Sequence, residues 1–359
     1  MTQLSAFWTD PNGTRQTTNL SLSDNHTVDP TLPIVILLHG MGGDINHMAT
    51  PDVQPGLNFD LDDPLPPPFL DRDWHTYPNV GFWSISTDPM KKVTGWQSFL
   101  DKKNYATLNY AQVDPWGLLA RPVLELDAVV RAVLARFGKR VAFLCHSRGG
   151  LLLRLFLQRN RGDANLLRQI AGAVMVHVPN QGSQVADVAA AIHNGIVALR
   201  VIAPDLILLQ LALGFLDNLV SRPAIAELSP GSKLLADLRT AEAVPLPVPI
   251  PIHTFGGTTP RLAKLRLSIF DAMSAVPQWH WPPFHWHTVQ SAIPLLDGTP
   301  VNVLTPEERG GGDVLVTDTR SRLPGEASHH INPVSHPAAL WDGQIQGQAE
   351  TILRSFARS

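Results

Sequence analysis

A single cysteine, Cys145, stands in 359 residues. It has no partner for an intrachain disulfide, so a disulfide-stapled fold is excluded and the lone thiol is expected to be a small buried residue. Charge is sparse as well: Lys, Arg, Asp and Glu make up 16% of the chain and sum to −3. Scattered basic residues give no electrostatic footprint for a phosphate backbone, so nucleic acid is not an expected partner. No apolar run reaches the roughly 20 residues needed to span a bilayer. The longest, Ile196 to Ala203 and Leu206 to Leu216, are interrupted or bounded by Arg200, Pro204, Asp205 and Asp217. The opening M-T-Q-L-S-A-F-W-T-D lacks the basic start and apolar core of a secretory signal. As written, the expectation is a cytoplasmic chain, although an exported chain whose leader had been removed would read the same. Phosphate-cradling signatures are missing too, since no G-K-[ST] follows a glycine-rich turn and no G-x-G-x-x-G occurs.

What is present is an apolar strand ending in serine. Residues Phe143 to Leu151 read F-L-C-H-S-R-G-G-L, the layout of a nucleophile elbow, in which a strained strand-to-helix turn lifts a serine hydroxyl clear of the sheet. Ser147 is the candidate nucleophile, with Cys145 in place of the first glycine of G-x-S-x-G. The flanking pattern fits. Val123, Leu126, Val130, Val133, Leu134 and Phe137 recur at helical spacing, with Pro122 suited to the first turn and Gly138 to the stop. A short strand from Val141 to Cys145 follows, and a second helix runs through Leu151 to Leu157. A serine here also suits a helix N-cap, a role that needs no chemistry.

Residues Pro33 to Gly43, P-I-V-I-L-L-H-G-M-G-G, read as a buried parallel strand opening into a glycine-rich loop. Such a loop exposes backbone N–H groups, and a developing oxyanion needs two aimed at one point. The amides of Met41 and Arg148 are the candidates. Taken in order, H-G-M-G-G, C-H-S-R-G-G and H-V-P-N-Q-G-S-Q-V-A-D (His177 to Asp187) resemble the lipase and esterase branch of the α/β-hydrolases, over most of the chain. The resemblance implies a mostly parallel central sheet flanked by helices, with a helical lid. The hydrolase core would comprise residues 1–184 and 246–359, and the lid 185–245. A-E-L-S-P-G-S-K-L-L, from Ala226 to Leu235, is similar to the segment by which such lids return to the core.

The family's catalytic order is Ser, acid, His. The resemblance implies Asp313, in G-G-G-D-V-L-V-T, as the acid, with Asp318 as the alternative and Asp297 in an ordinary D-G turn. It implies His330, in S-H-H-I-N-P-V-S-H-P-A-A-L, as the base, with His329 and His336 as alternatives and Pro337 opening the following helix. The expected activity is hydrolysis of a carboxylic ester with an alkyl acyl chain, through an acyl-enzyme and without cofactor or metal. The same triad serves thioesters, amides, polyesters and acyl transfer, because fold and triad do not select the leaving group. A non-catalytic protein that keeps the fold to hold a hydrophobic ligand is the other class.

Three regions are conspicuous beyond the triad. Val185 to Val220 is rich in Leu, Ile, Val and Ala, which suits either a lid over the serine that contacts acyl chains or a pair of helices packed on the core. The proline-rich, acidic stretch around 55–75 reads as an extended surface insertion without EF-hand spacing. The loop around 277–290, Q-W-H-W-P-P-F-H-W-H-T, reads as an aromatic rim for a lipid or polymer surface. His285 and His287 there lack an evident third ligand for zinc.

Overall fold

The computed structural model describes residues 4–23, 28–49, 94–184, 186, 222–258, 265–266, 288–289, 311–313, 315–334, 336 and 338–358. The proline-rich insertion, residues 187–221 of the expected lid, nearly all of the Trp/His-rich loop, Asp297 and Pro337 lie outside the described residues.

The described strands are β1 (Leu4–Thr9), β2 (Arg15–Leu22), β3 (Ile34–Leu38), β4 (Thr107–Asn109), β5 (Val141–His146), β6 (Ile170–Val176), β7 (Ile252–Gly257), β8 (Leu265–Arg266), β9 (Thr288–Val289) and β10 (Ser328–Asn332). Eight of them form one sheet in the order β1-β2-β4-β3-β5-β6-β7-β10, while β8 and β9 pair separately. β1 pairs with β2, and β2 with β4, antiparallel. From β4 across to β10 every pairing is parallel.

The central strands are buried from end to end because both faces of the sheet are covered. On one face, Ile34, Ile36, Phe143, Cys145 and Met175 pack with apolar residues of α2 (Pro122–Phe137) and α3 (Arg148–Arg159). On the other, Val35, Leu37, Leu144 and Val176 pack with α1 (Trp96–Asp101) and with α6 (Gly343–Ser355). Between these helices in sequence come α4 (Pro223–Leu228) and α5 (Lys233–Glu242). Burial on both faces is why β3, β5 and β6 read as continuous apolar runs rather than alternating ones.

Local signals hold where they were specific. α2 begins with Pro122 and ends at Gly138, whose φ of 61° is left-handed and whose N–H returns to Leu134 O. Cys145 is fully buried, and burial pushes its thiol pKa well up, so it stays a neutral packing residue. No helix among the described residues is long and apolar enough to cross a membrane.

Candidate active site

Parallel strands deliver their C-terminal ends to one edge of the sheet, and the turns there are where open α/β sheets bind ligands. Ser147 follows β5, His177 follows β6, and Asp313 stands between β7 and β10. His336 lies four residues past the end of β10.

Ser147 adopts φ 53° and ψ −132°, and its side chain makes no capping bond to α3. A non-glycine residue at positive φ is costly, by about 1–3 kcal/mol, unless its surroundings enforce it. Here they do. Ser147 N–H donates to Val176 O at 3.0 Å, and Gly150 N–H donates back to Ser147 O at 3.0 Å. A Cβ on Gly149 would lie 2.5 Å from Leu38 O, so α3 starts against the backbone of β3 and tolerates no side chain there. The arrangement is a strained turn that presents a hydroxyl, not a helix cap.

The glycine-rich loop runs against this serine. A Cβ on Gly40 would sit 2.9 Å from Ser147 Cβ and 3.4 Å from its Oγ. His39 fixes the loop: its Nδ1 lies 2.8 Å from Gly40 O, and its Nε2 accepts from Gln112 N–H at 3.0 Å. This pattern sets the Nδ1–H tautomer. Burial, the largest influence, pulls the His39 pKa down to about 4, so the ring is neutral at physiological pH. Gly42 N–H is spent on Pro115 O and Gly43 N–H on Gly40 O, so neither competes with the Met41 amide, the loop's candidate donor.

Asp313 is fully buried, and each of its oxygens is engaged. Oδ1 accepts the amides of Leu315 at 3.0 Å and Val316 at 2.7 Å. Oδ2 accepts from His336 Nδ1 at 2.8 Å, and His177 Nδ1 lies 2.7 Å from the same oxygen. The main chain repeats the pairing, with His336 N–H donating to Asp313 O at 3.1 Å. Burial alone would raise the carboxyl pKa; the His336 and His177 partners outweigh it and hold the group well below the usual carboxylate range. His336 is also tied to the elbow, since its carbonyl lies 3.1 Å from Nε2 of His146, the residue before Ser147. His146 Nδ1 in turn faces His47 Nε2 at 3.1 Å. Burial, then the neighbouring His336, His47 and His177, keeps His146 well below the ordinary imidazole range.

Neither a protein-family model nor a curated protein sequence matches the chain. Among solved structures it is similar to a lipase of Bacillus licheniformis, BlEst2, in its mature form. That similarity has a TM-score of 0.55 at 16% identity and covers 93% of this chain and 97% of that one. The propeptide form of the same lipase gives a TM-score of 0.53 at 16% identity, covering 93% of this chain and 53% of that one. The chain has the α/β-hydrolase fold.

Within this α/β-hydrolase frame, the histidines of S-H-H-I-N-P-V-S-H part company. The expected Asp313–His330 pair does not form among the described residues. His330 lies inside β10, in register with Phe255, and its ring stacks on that residue at 4.8 Å. Its Nε2 meets Ser328 Oγ at 2.8 Å, and that hydroxyl also meets His253 Nδ1 at 2.7 Å. Burial, then His329, lowers the His330 pKa. His329 points to the other face of the strand, as alternation requires. It meets Asp318 Oδ1 at 2.7 Å and Thr254 Oγ1 at 2.7 Å. The alternative acid and one alternative base therefore pair with each other, and His336, the remaining alternative, takes Asp313.

The ligating atoms of His177, Asp313 and His336 lie within 4.8 Å of one another, a spacing that suits a metal. His336 Nδ1 nevertheless donates to Asp313 Oδ2, and His177 Nδ1 lies 2.7 Å from the same oxygen, close but off the line of a well-formed hydrogen bond; we read the group as a carboxylate flanked by two imidazoles.

Two features escaped the sequence. His177 is the first polar residue after the apolar run of β6, and its position was the available signal. Arg148 entered as an amide donor, yet its side chain is 2% exposed and pairs with Glu227 Oε2 at 2.9 Å. It also donates to Pro115 O at 3.3 Å and to Gly117 O. Glu227 accepts Leu119 N–H at 3.0 Å as well. Arg148 thus clamps the elbow helix to the 115–119 loop and to α4. Removing one partner of a buried ion pair strands the other charge, so Arg148→Leu should lower stability by about 3–5 kcal/mol. The urea midpoint measures this, and an unchanged midpoint would refute the clamp.

Proposed function

We propose that the chain is a serine hydrolase of carboxylic esters, with Ser147 as nucleophile, His336 as general base and Asp313 as the carboxylate that orients it. The observation that carries this reading is the buried Asp313–His336 pair at 2.8 Å, tied through His146 to a serine held at φ 53°. The fold shared with a Bacillus licheniformis lipase supports the class.

In this mechanism Asp313 holds the proton on His336 Nδ1, leaving Nε2 to take the proton of Ser147 Oγ as the oxygen attacks the ester carbonyl. The charge that develops on the carbonyl oxygen is met by the amides of Met41 and Arg148. As the tetrahedral adduct collapses, the protonated Nε2 returns its proton to the departing alcohol. Water, activated by the same nitrogen, then attacks the acyl-serine and frees the acid. Asp313 stays ionised throughout, as the Leu315, Val316 and His336 N–H groups it accepts require.

A fluorophosphonate probe tests the reading, alongside turnover of 4-nitrophenyl butyrate. Stoichiometric labelling at Ser147 that abolishes turnover is expected. A folded protein that neither labels nor turns over the ester would replace the hydrolase reading with that of a ligand-binding protein.

A further inference from the structure

The group that binds Asp313 contains one histidine more than the proposed mechanism uses. His177 is fully buried, sits at φ 53°, and brings Nδ1 to 2.7 Å from the oxygen that already serves His336. Its place is enforced. Its N–H donates to Phe255 O at 2.9 Å, and a Cβ on Gly257 would lie 2.4 Å from its Cε1 and 2.7 Å from Asp313 Cβ. A buried imidazole at left-handed φ carries costs of both desolvation and backbone strain. A packing role would be filled more cheaply by an apolar residue.

We propose that His177 is a positioning residue that shares Asp313 Oδ2 with His336 and thereby sets the basicity of His336. The proposal rests on the hydrolase reading of Asp313 and His336. Oδ1 is fully occupied by the Leu315 and Val316 amides, so both imidazoles must draw on Oδ2. A carboxylate oxygen that accepts a second N–H gives less stabilisation to the imidazolium that forms on the first. His177 therefore fixes the carboxylate while moderating its pull on His336. The titratable groups facing His336 are Asp313, His177 at 5.9 Å between ring centroids, and His146 at 4.9 Å, the last backed by His47. Removing His177 takes a competing donor from Asp313. It removes no anion, so the hold of Asp313 on His336 should strengthen.

His177→Leu should shift the acid limb of the kcat/KM profile upward by about half a pH unit. It should also lower the plateau by about tenfold through a less constrained carboxylate. His177→Asn keeps a donor where Nδ1 stood and tolerates positive φ, so it should restore both. Equal loss in the two variants with an unmoved acid limb would mean that His177 only packs, and would overturn the proposal. A readout independent of activity is the wild-type spectrum with nitrogen-15-labelled histidine, where two strongly hydrogen-bonded Nδ1 protons should respond to Asp313→Ala. Only one such proton, lost in His336→Ala, would equally overturn it. If the wild type has no esterase activity but shows both protons, the hydrolase reading fails while the shared carboxylate stands.

Discussion

Replacing His336 with alanine should lower kcat/KM for 4-nitrophenyl butyrate by about 10,000-fold or more, whereas His330→Ala should leave it within a factor of about two. The asymmetry follows from what each ring touches. His336 carries the Nδ1–H that meets the buried carboxylate of Asp313, so its loss removes the base and leaves Asp313 with one imidazole partner. His330 meets a serine hydroxyl and the face of Phe255, contacts that hold a strand and, among the described residues, reach no acid. Removing a triad member elsewhere leaves only the catalysis that the oxyanion donors and substrate binding supply, and the same floor is expected here. The measurement is a pair of initial-rate series on folded proteins of matched circular dichroism. Loss of activity in His330→Ala with retention in His336→Ala would reverse the assignment of the base.

The sequence was legible where one residue type answers one physical demand. The apolar runs at Ile34 and Val141 could only be strands covered on both faces. A serine followed, after Arg148, by two glycines, one of which meets the backbone of β3, has few uses other than the elbow. The turn that carries Asp313 was readable because a Cβ on Gly312 would come within 2.3 Å of Val316 O, so the turn needs a glycine before Asp313. Which histidine meets Asp313 was not readable by the same means. Three histidines within eight residues all suit a terminal loop. Choosing among them requires knowing that residues 328–332 extend β10, which locks His329 and His330 into the sheet. Strand ends are set by pairing with β7, a tertiary contact that no local pattern encodes. The second imidazole on Asp313 was hidden for a related reason, because His177 and Asp313 are 136 positions apart and meet only through the strand order.

Asp313→Asn should lower kcat by about 10,000-fold at neutral pH while leaving the fold intact, and the hydrogen bonds explain why the amide cannot compensate. Oδ1 of Asp313 accepts two main-chain amides. Asparagine must keep its carbonyl oxygen there, since the reverse orientation would set its NH2 group against two N–H donors. The NH2 group then faces His336 Nδ1, which must accept rather than donate. That forces the proton onto Nε2, the nitrogen needed to receive the serine proton, and the base is occupied before the reaction starts. The same substitution carries a pH signature in stability. The folded-state pKa of Asp313 lies below its ordinary value, so its contribution is present above the unfolded carboxylate pKa of about 3.9 and is lost as pH falls through and below that value. The gap in urea midpoint between wild type and Asp313→Asn should therefore be widest at pH 6, smaller at pH 3 and smaller still as pH falls further. A gap that does not change with pH would mean that the carboxylate is not held charged by its partners, and would remove the electrostatic basis for orienting His336.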